Sequence, residues 1–218
     1  MARAGEKIYN PVQGDSIEFR QTARDTGGEL MSGELVVAPS GGNPLHVHPL
    51  QEEHFEVLSG TFGVQIGDEQ RSLKEGEQAS VAPGTPHRWF NEDDQREARA
   101  LVQLRPALNT ETFFETSNKS GVPNLPQQAV MLNGINRGEI YLASPPVAVQ
   151  KALLATLAPV GRMLGYKDHY HKYSAEDGMG GAGPPSTASV LRRAAALVGG
   201  LVVASSLLVG KMGRRSKG

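Results

Sequence analysis

A chain of 218 residues is long enough for one domain with a real core, or for a modest domain with appendages, and 22 Lys/Arg against 23 Asp/Glu give no electrostatic case for a nucleic-acid partner. The absence of cysteine excludes disulfides, thiolate metal sites and a cysteine nucleophile, so any metal must be held by His, Asp or Glu. With 26 Gly and 14 Pro, the composition favours a turn-rich β architecture over a helical bundle. The opening "MARAGEKIYNPVQGDSIEF" holds no apolar run able to serve as a signal peptide, so export is not expected.

From Ile8 to Arg105 the chain reads as short β-prone runs: "SIEFRQT", "GELMSGELVVAP", "HFEVLSGTFGVQIG", "EQRSLKEG", "QASVAPG", "HRWFN" and "REARALVQLRP". Gly, Pro or Asn/Asp punctuates nearly every one, which predicts an antiparallel sandwich or barrel over residues 1–106. Leu58-Ser59-Gly60 and Ile66-Gly67-Asp68 read as hairpin turns. After Pro106 the stretches "NTETFFETSNKS" and "PPVAVQKALLATLAPVGRMLGYK" are helix-compatible, the second with Pro in its first turn. Residues 107–174 are therefore expected to form a helical extension packed on the barrel. "AEDGMGGAGPPSTAS", residues 175–189, has too little apolar surface to offset the entropy of ordering and reads as a linker.

The last thirty residues concentrate six bases and no acid, leaving sixteen of the 22 Lys/Arg against all 23 acids in the body. Between Arg193 and Lys211 lies an uncharged run, Ala194 to Gly210, at the short end of the roughly 17–25 residues that span a bilayer. Gly199, Gly200, Ser205 and Ser206 dilute its hydrophobicity, but no polar face interrupts it, as a solvent-exposed helix would require. The expectation is a transmembrane tail helix over 190–212 with a basic end at 213–218, holding the barrel on the cytoplasmic side of a membrane. The competing reading is an Ala/Gly-rich helix packed on a soluble cytoplasmic protein.

The chemistry concentrates in "LHVHPLQEEHFEVLSG", Leu45 to Gly60, with three histidines and three glutamates. Residues two apart on a strand share a face, so His46 and His48 can present both imidazoles to one point while Val47 faces away. Glu53 opens the next β-run and can add a carboxylate oxygen. His87, in "GEQASVAPGTPHRWFN", follows another glycine turn and is a fourth candidate ligand. By strand alternation Glu52, His54 and Glu56 belong to the opposite face from Glu53. Trp89 and Phe62 are the candidate pocket-lining aromatics. Arg71 and Arg105 could meet a carboxylate substrate, although lone arginines more often form surface ion pairs. His169, His171 and Glu176 repeat the spacing of the first cluster, but their context is a Gly-rich linker and not a strand.

The order His46, His48, Glu53, Gly60 resembles the first motif of the cupin family, and Gly76, Gly84, His87, Asn91 resemble the second. Two turn positions depart from the pattern: Ala82 stands where the motif has proline, with Pro83 next, and Ser40 where it has glycine, with Gly41 next. The resemblance implies a mainly β fold: a single double-stranded β-helix (jelly-roll) barrel, here followed by C-terminal helices and the transmembrane helix. It also implies one divalent transition metal at the barrel mouth on His46, His48, Glu53 and His87, with iron or manganese ahead of nickel, zinc and copper. A polar pocket for an anion or sugar without an ion is the alternative.

The function expected on this basis is a metal-dependent oxygenase of the dioxygenase type acting on a small organic molecule, with Glu53 as ligand and transient base. A metal-dependent isomerase or epimerase, and a membrane-tethered cupin that binds a small ligand without turnover, stay open. Homodimerisation through sheet edges is a further family-level expectation.

Overall fold

In the computed structural model, which describes residues 2–10, 14–119, 125–134, 138–168 and 185–196, the β-prone runs form two antiparallel sheets. The strands are β1 (Lys7–Tyr9), β2 (Ser16–Gln21), β3 (Met31–Val37), β4 (His46–Val47), β5 (Glu52–Ser59), β6 (Thr61–Ile66), β7 (Glu69–Lys74), β8 (Gln78–Val81), β9 (His87–Asn91) and β10 (Ala98–Arg105). They are followed by α1 (Thr110–Lys119), α2 (Leu125–Gly134), β11 (Tyr141–Leu142) and α3 (Val147–Met163). One sheet runs β1-β2-β3-β10-β5-β8 and the other β11-β4-β9-β6-β7.

The alternation legible in the sequence sets which side chains fill the space between the sheets. Along β5, Glu53, Phe55 and Val57 are buried while Glu52, His54 and Glu56 are not; along β9 the buried set is His87, Trp89 and Asn91. Phe55 from one sheet meets Phe62 from the other with ring centroids 5.5 Å apart, and Phe62 stacks on Trp89 at 6.3 Å. Phe62, expected as a pocket residue, thus lies wholly inside this core and backs the wall that Trp89 presents.

The two predicted turns have different roles. Gly67 and Asp68 close a hairpin in which Ile66 faces Glu69. Gly60 does not close a hairpin: β5 pairs with β10 and β8, β6 pairs with β7 and β9, and Gly60 carries the chain from one sheet to the other. It does so at φ 79°, where a Cβ would sit 2.9 Å from the carbonyl oxygen of Glu97, so only glycine fits.

After the barrel, α1 and α3 form where helix was expected, but the extension is not wholly helical. Tyr141 and Leu142 pair with Val47 and His46, adding β11 to the sheet edge beside β4. The short α2, with Pro126 in its first turn, lies outside the stretches that read as helix-compatible. It packs on α3 so closely that a Cβ on Gly161 would lie 2.5 Å from the Pro126 carbonyl oxygen. Ala129, Val130, Ala158 and Tyr166 make a second small core there, joined by Leu154, Leu157 and Val190. Val190 belongs to a helical stretch over 187–196 that begins inside the segment expected as linker. No helix among the described residues is long and apolar enough to cross a membrane. The expected spanning run over 190–212 lies, from residue 197 onward, outside the described residues, as does most of the linker.

Because Phe62 is buried between Phe55 and Trp89, Phe62→Ala should cost about 3–5 kcal/mol of stability. Chemical denaturation of the variant measures that loss; an unchanged midpoint would contradict the core placement.

Candidate metal centre

The four predicted ligands come together from both sheets. His46 on β4 is directly opposite His87 on β9. His48 follows β4, and Glu53 projects from β5 in the facing sheet, where it pairs with Val81 and Leu104. One ligand atom from each lies within 4.8 Å of all the others, and all four residues are buried. Trp89, two positions beyond His87 on the same inward row, lines the adjoining cavity.

The other candidates lie elsewhere. The His54 ring bonds the Ser80 hydroxyl at 2.8 Å on the outer face. Arg71 pairs with Glu69 at 2.8 Å on the surface, and Arg105 donates to the Gln103 amide oxygen at 3.2 Å. His169, His171 and Glu176 lie outside the described residues.

The hydrogen bonds around the cluster fix which nitrogen of each ring faces inward. His46 Nδ1 lies 3.0 Å from the carbonyl oxygen of Pro44, and His87 Nδ1 lies 2.8 Å from that of Thr85. A carbonyl only accepts, so both Nδ1 atoms carry hydrogen, the 3.0 Å contact of His46 with Pro44 being closer than the 3.4 Å approach of the Asn43 amide nitrogen to the same atom. His48 Nδ1 faces the Gln51 amide oxygen at 3.2 Å. That oxygen is assigned by the other end of the amide, whose Nε2 donors are taken up by the carbonyls of Pro106 and Ala107 and the hydroxyl of Thr110 at 2.8, 3.1 and 2.8 Å. In its neutral form, each of the three rings therefore turns an Nε2 lone pair inward.

Two of these lone pairs confront each other: His46 Nε2 and His48 Nε2 are 3.1 Å apart. The third, His87 Nε2, lies 2.6 Å from Glu53 Oε2, where a lone pair would oppose a carboxylate unless a proton stands between them. Three nitrogen lone pairs and a carboxylate directed at one buried point fit a divalent cation, which would satisfy all of them at once.

The titration behaviour follows from the same geometry. Burial pushes His46 down to about 4 and lowers His48 as well, so both rings are neutral at neutral pH and ready to act as ligands. Burial alone would raise Glu53, but the hydrogen bond with His87 and the nearby imidazoles hold it below its ordinary value. Burial opposes a charge on His87 too, and the bond to Glu53 outweighs it, so His87 is raised.

Gln51 is the functional residue that the sequence reading passed over. Only 1% exposed, it fixes the His48 ring and ties it to the segment leading into α1. The signal was present, since Gln51 lies two positions before Glu53 and shares its inward row.

A cavity of about 510 Å³ opens onto His46, His48 and Glu53. Most of its wall comes from α1, α2, β11 and α3 and is apolar: Phe113, Ala129, Leu132, Leu154 and Leu157 are representative.

Residues 33–103 match the family model of the cupin domain. The chain is 27% identical over 197 residues to "Probable oxidoreductase virH" of Hypocrea virens (strain Gv29-8 / FGSC 10586), covering 80% of this chain and 89% of that protein. It is 32% identical over 101 residues to "Probable oxidoreductase patJ" of Aspergillus clavatus, covering 44% of this chain and 31% of that protein. Among solved structures, TT1209 from Thermus thermophilus is similar at 25% identity and a TM-score of 0.38, covering 48% of this chain and 90% of that one.

Two outcomes are expected of this site. Gln51→Leu should weaken metal binding by about 10–100-fold while leaving every ligand in place, as read by competition with a chelator of known affinity. The folded pKa of His87 is above its ordinary 6.5, so near pH 6.5 its proton must leave before the nitrogen can bind a metal. Metal uptake there should release upward of about half a proton per ion from His87, falling toward zero as pH rises through the folded pKa. Calorimetry in buffers of different ionisation enthalpy measures the release, and none at pH 6.5 would contradict the placement of the proton.

Proposed function

We propose, for a chain whose residues 33–103 form a cupin domain, that the cluster holds one redox-active divalent metal, iron or manganese first, and that the protein is an oxidoreductase of the oxygenase type acting on a small organic molecule. The observation that carries the reading is the confrontation of His46 Nε2 and His48 Nε2 at 3.1 Å beside Glu53, an arrangement of buried lone pairs that calls for a cation. The oxidoreductase names of the two relatives support the redox part.

When bound, the ion supplies Lewis acidity toward a substrate oxygen and electrons for dioxygen chemistry. His46, His48 and His87 would hold it through Nε2, each ring oriented by the acceptor at its Nδ1. Glu53 would contribute the negative charge of the ligand set and, as the carboxylate nearest the reacting atoms, can take up a substrate proton transiently. Trp89 and the helical roof keep the cavity apolar beside the site, which strengthens electrostatic interactions inside it.

The test is elemental analysis of the full chain purified without chelator or His tag, with His48→Ala beside it, followed by anaerobic loading with Fe(II) and addition of nitric oxide as a probe of an open position. Near-stoichiometric iron or manganese, lost in His48→Ala, together with a high-spin ferrous nitrosyl signal in electron paramagnetic resonance, is the expected result. Zinc alone, with no iron, manganese, nickel or copper taken up on addition, would overturn the redox reading and favour the isomerase class. No metal under any condition would leave a ligand-binding cupin.

A further inference from the structure

The family match ends at residue 103, so the segments that close the cavity over the metal cluster lie mostly outside the matched domain. Their share of the wall is mostly aliphatic or aromatic, and the volume of about 510 Å³ falls within the roughly 300–1,000 Å³ typical of cavities that take drug-sized ligands. Among the described residues no Lys or Arg lines this cavity. Leu125, Leu142 and Leu153 belong to the lining and stay 67%, 47% and 50% exposed, so the apolar wall continues to the surface.

The polar side chains that interrupt the wall are largely taken up by the protein itself. Gln150 donates to the carbonyls of Leu142 and Pro145 at 2.8 and 2.6 Å and accepts from the Leu142 N–H at 3.2 Å. The Asn43 amide oxygen accepts the Trp89 N–H at 2.9 Å, and the Thr110 hydroxyl oxygen accepts from the Gln51 amide at 2.8 Å. Asn10 is bonded to the Asp15 carboxyl, whose Oδ1 is sealed from open space. The cluster is different, because His46 and His48 bring two Nε2 atoms together at a point that the cavity reaches. A polar group bound beneath the roof would therefore give up its water without gaining a partner, except at the cluster.

We propose that the substrate of the metal centre is a mainly apolar molecule whose hydrogen-bonding function is confined to the end that meets the cluster, and that the roof selects it, with Leu132 on α2 and Leu153 on α3 as specificity-determining residues. The proposal rests on the reading of the cluster as the reaction centre, and it gives that reading a substrate class. An aqueous sugar, with hydroxyls along its whole length, is rejected by the same wall.

The test uses the full chain as purified and three probes of one shape: naphthalene, 2-naphthol and 2,6-dihydroxynaphthalene, titrated by calorimetry. Naphthalene should bind, and 2-naphthol should bind more tightly, an advantage that His48→Ala removes. The diol should bind about tenfold more weakly than 2-naphthol, since its second hydroxyl is buried without a partner. Leu132→Gln and Leu153→Gln should each weaken naphthalene several-fold and shrink the penalty on the diol. Leu153 is half-exposed, so its substitution should leave folding intact. Val160→Thr, at an exposed α3 position outside the lining, should change neither. A diol that binds as tightly as 2-naphthol, a penalty unchanged in both roof variants, or a 2-naphthol advantage that survives His48→Ala would overturn the proposal. So would failure of naphthalene to bind, or the same changes in Val160→Thr. Failure of the oxygenase reading shows differently, as a protein that takes up no redox-active metal yet keeps the roof-dependent penalty and the His48-dependent advantage.

Discussion

The interaction on which the structure turns is the confrontation of like electron pairs at a buried point. His46 and His48 direct Nε2 lone pairs at each other over 3.1 Å, with Glu53 close by. Left alone, such an arrangement is unfavourable in a low-dielectric interior, and the protein holds it only because each imidazole is locked from behind by an acceptor. Within the protein itself the conflict is relieved on one side only, by the proton shared between His87 and Glu53. A divalent cation relieves it on every side.

The two-sheet fold brings separate strands to one place at this site. The histidines belong to the five-stranded sheet and the carboxylate to the six-stranded one, so neither sheet alone makes the cluster. Gly60 is what permits the transfer between sheets within a single residue, and the Phe55–Phe62–Trp89 stack fixes the spacing across which Glu53 must reach. Gln51 couples the cluster to the segment entering α1, joining His48 to the start of the helical extension through one amide.

That extension changes what the barrel can accept. Helices α2 and α3 have a small core of their own, and β11 anchors the far side by pairing with β4 next to His46. The result is a mainly apolar chamber with the His/Glu cluster at one part and a few other polar groups in its wall. Most of the wall of the cavity beside the cluster thus comes from residues outside the matched domain.

Local patterns were sufficient wherever the determining physics is local. Alternation along β5 separated Glu53 from Glu52, His54 and Glu56, because side-chain direction in a strand has period two regardless of what the strand pairs with. Through the resemblance of their spacing to the two cupin motifs, the four candidate ligands, which the structure brings together, were legible as a set. Pairing partners were not: nothing in Leu58-Ser59-Gly60 distinguishes a hairpin from a passage between sheets, since the choice depends on β10 and β8 occupying both edges of β5. Nor could the two-residue β11 or the short α2 be assigned from spacing, because their stability comes from contacts far along the chain. Residue type and spacing are enough to say which side chains are able to bind a metal; that they face one another beneath an apolar roof follows from convergence and burial, which are properties of packing between distant segments.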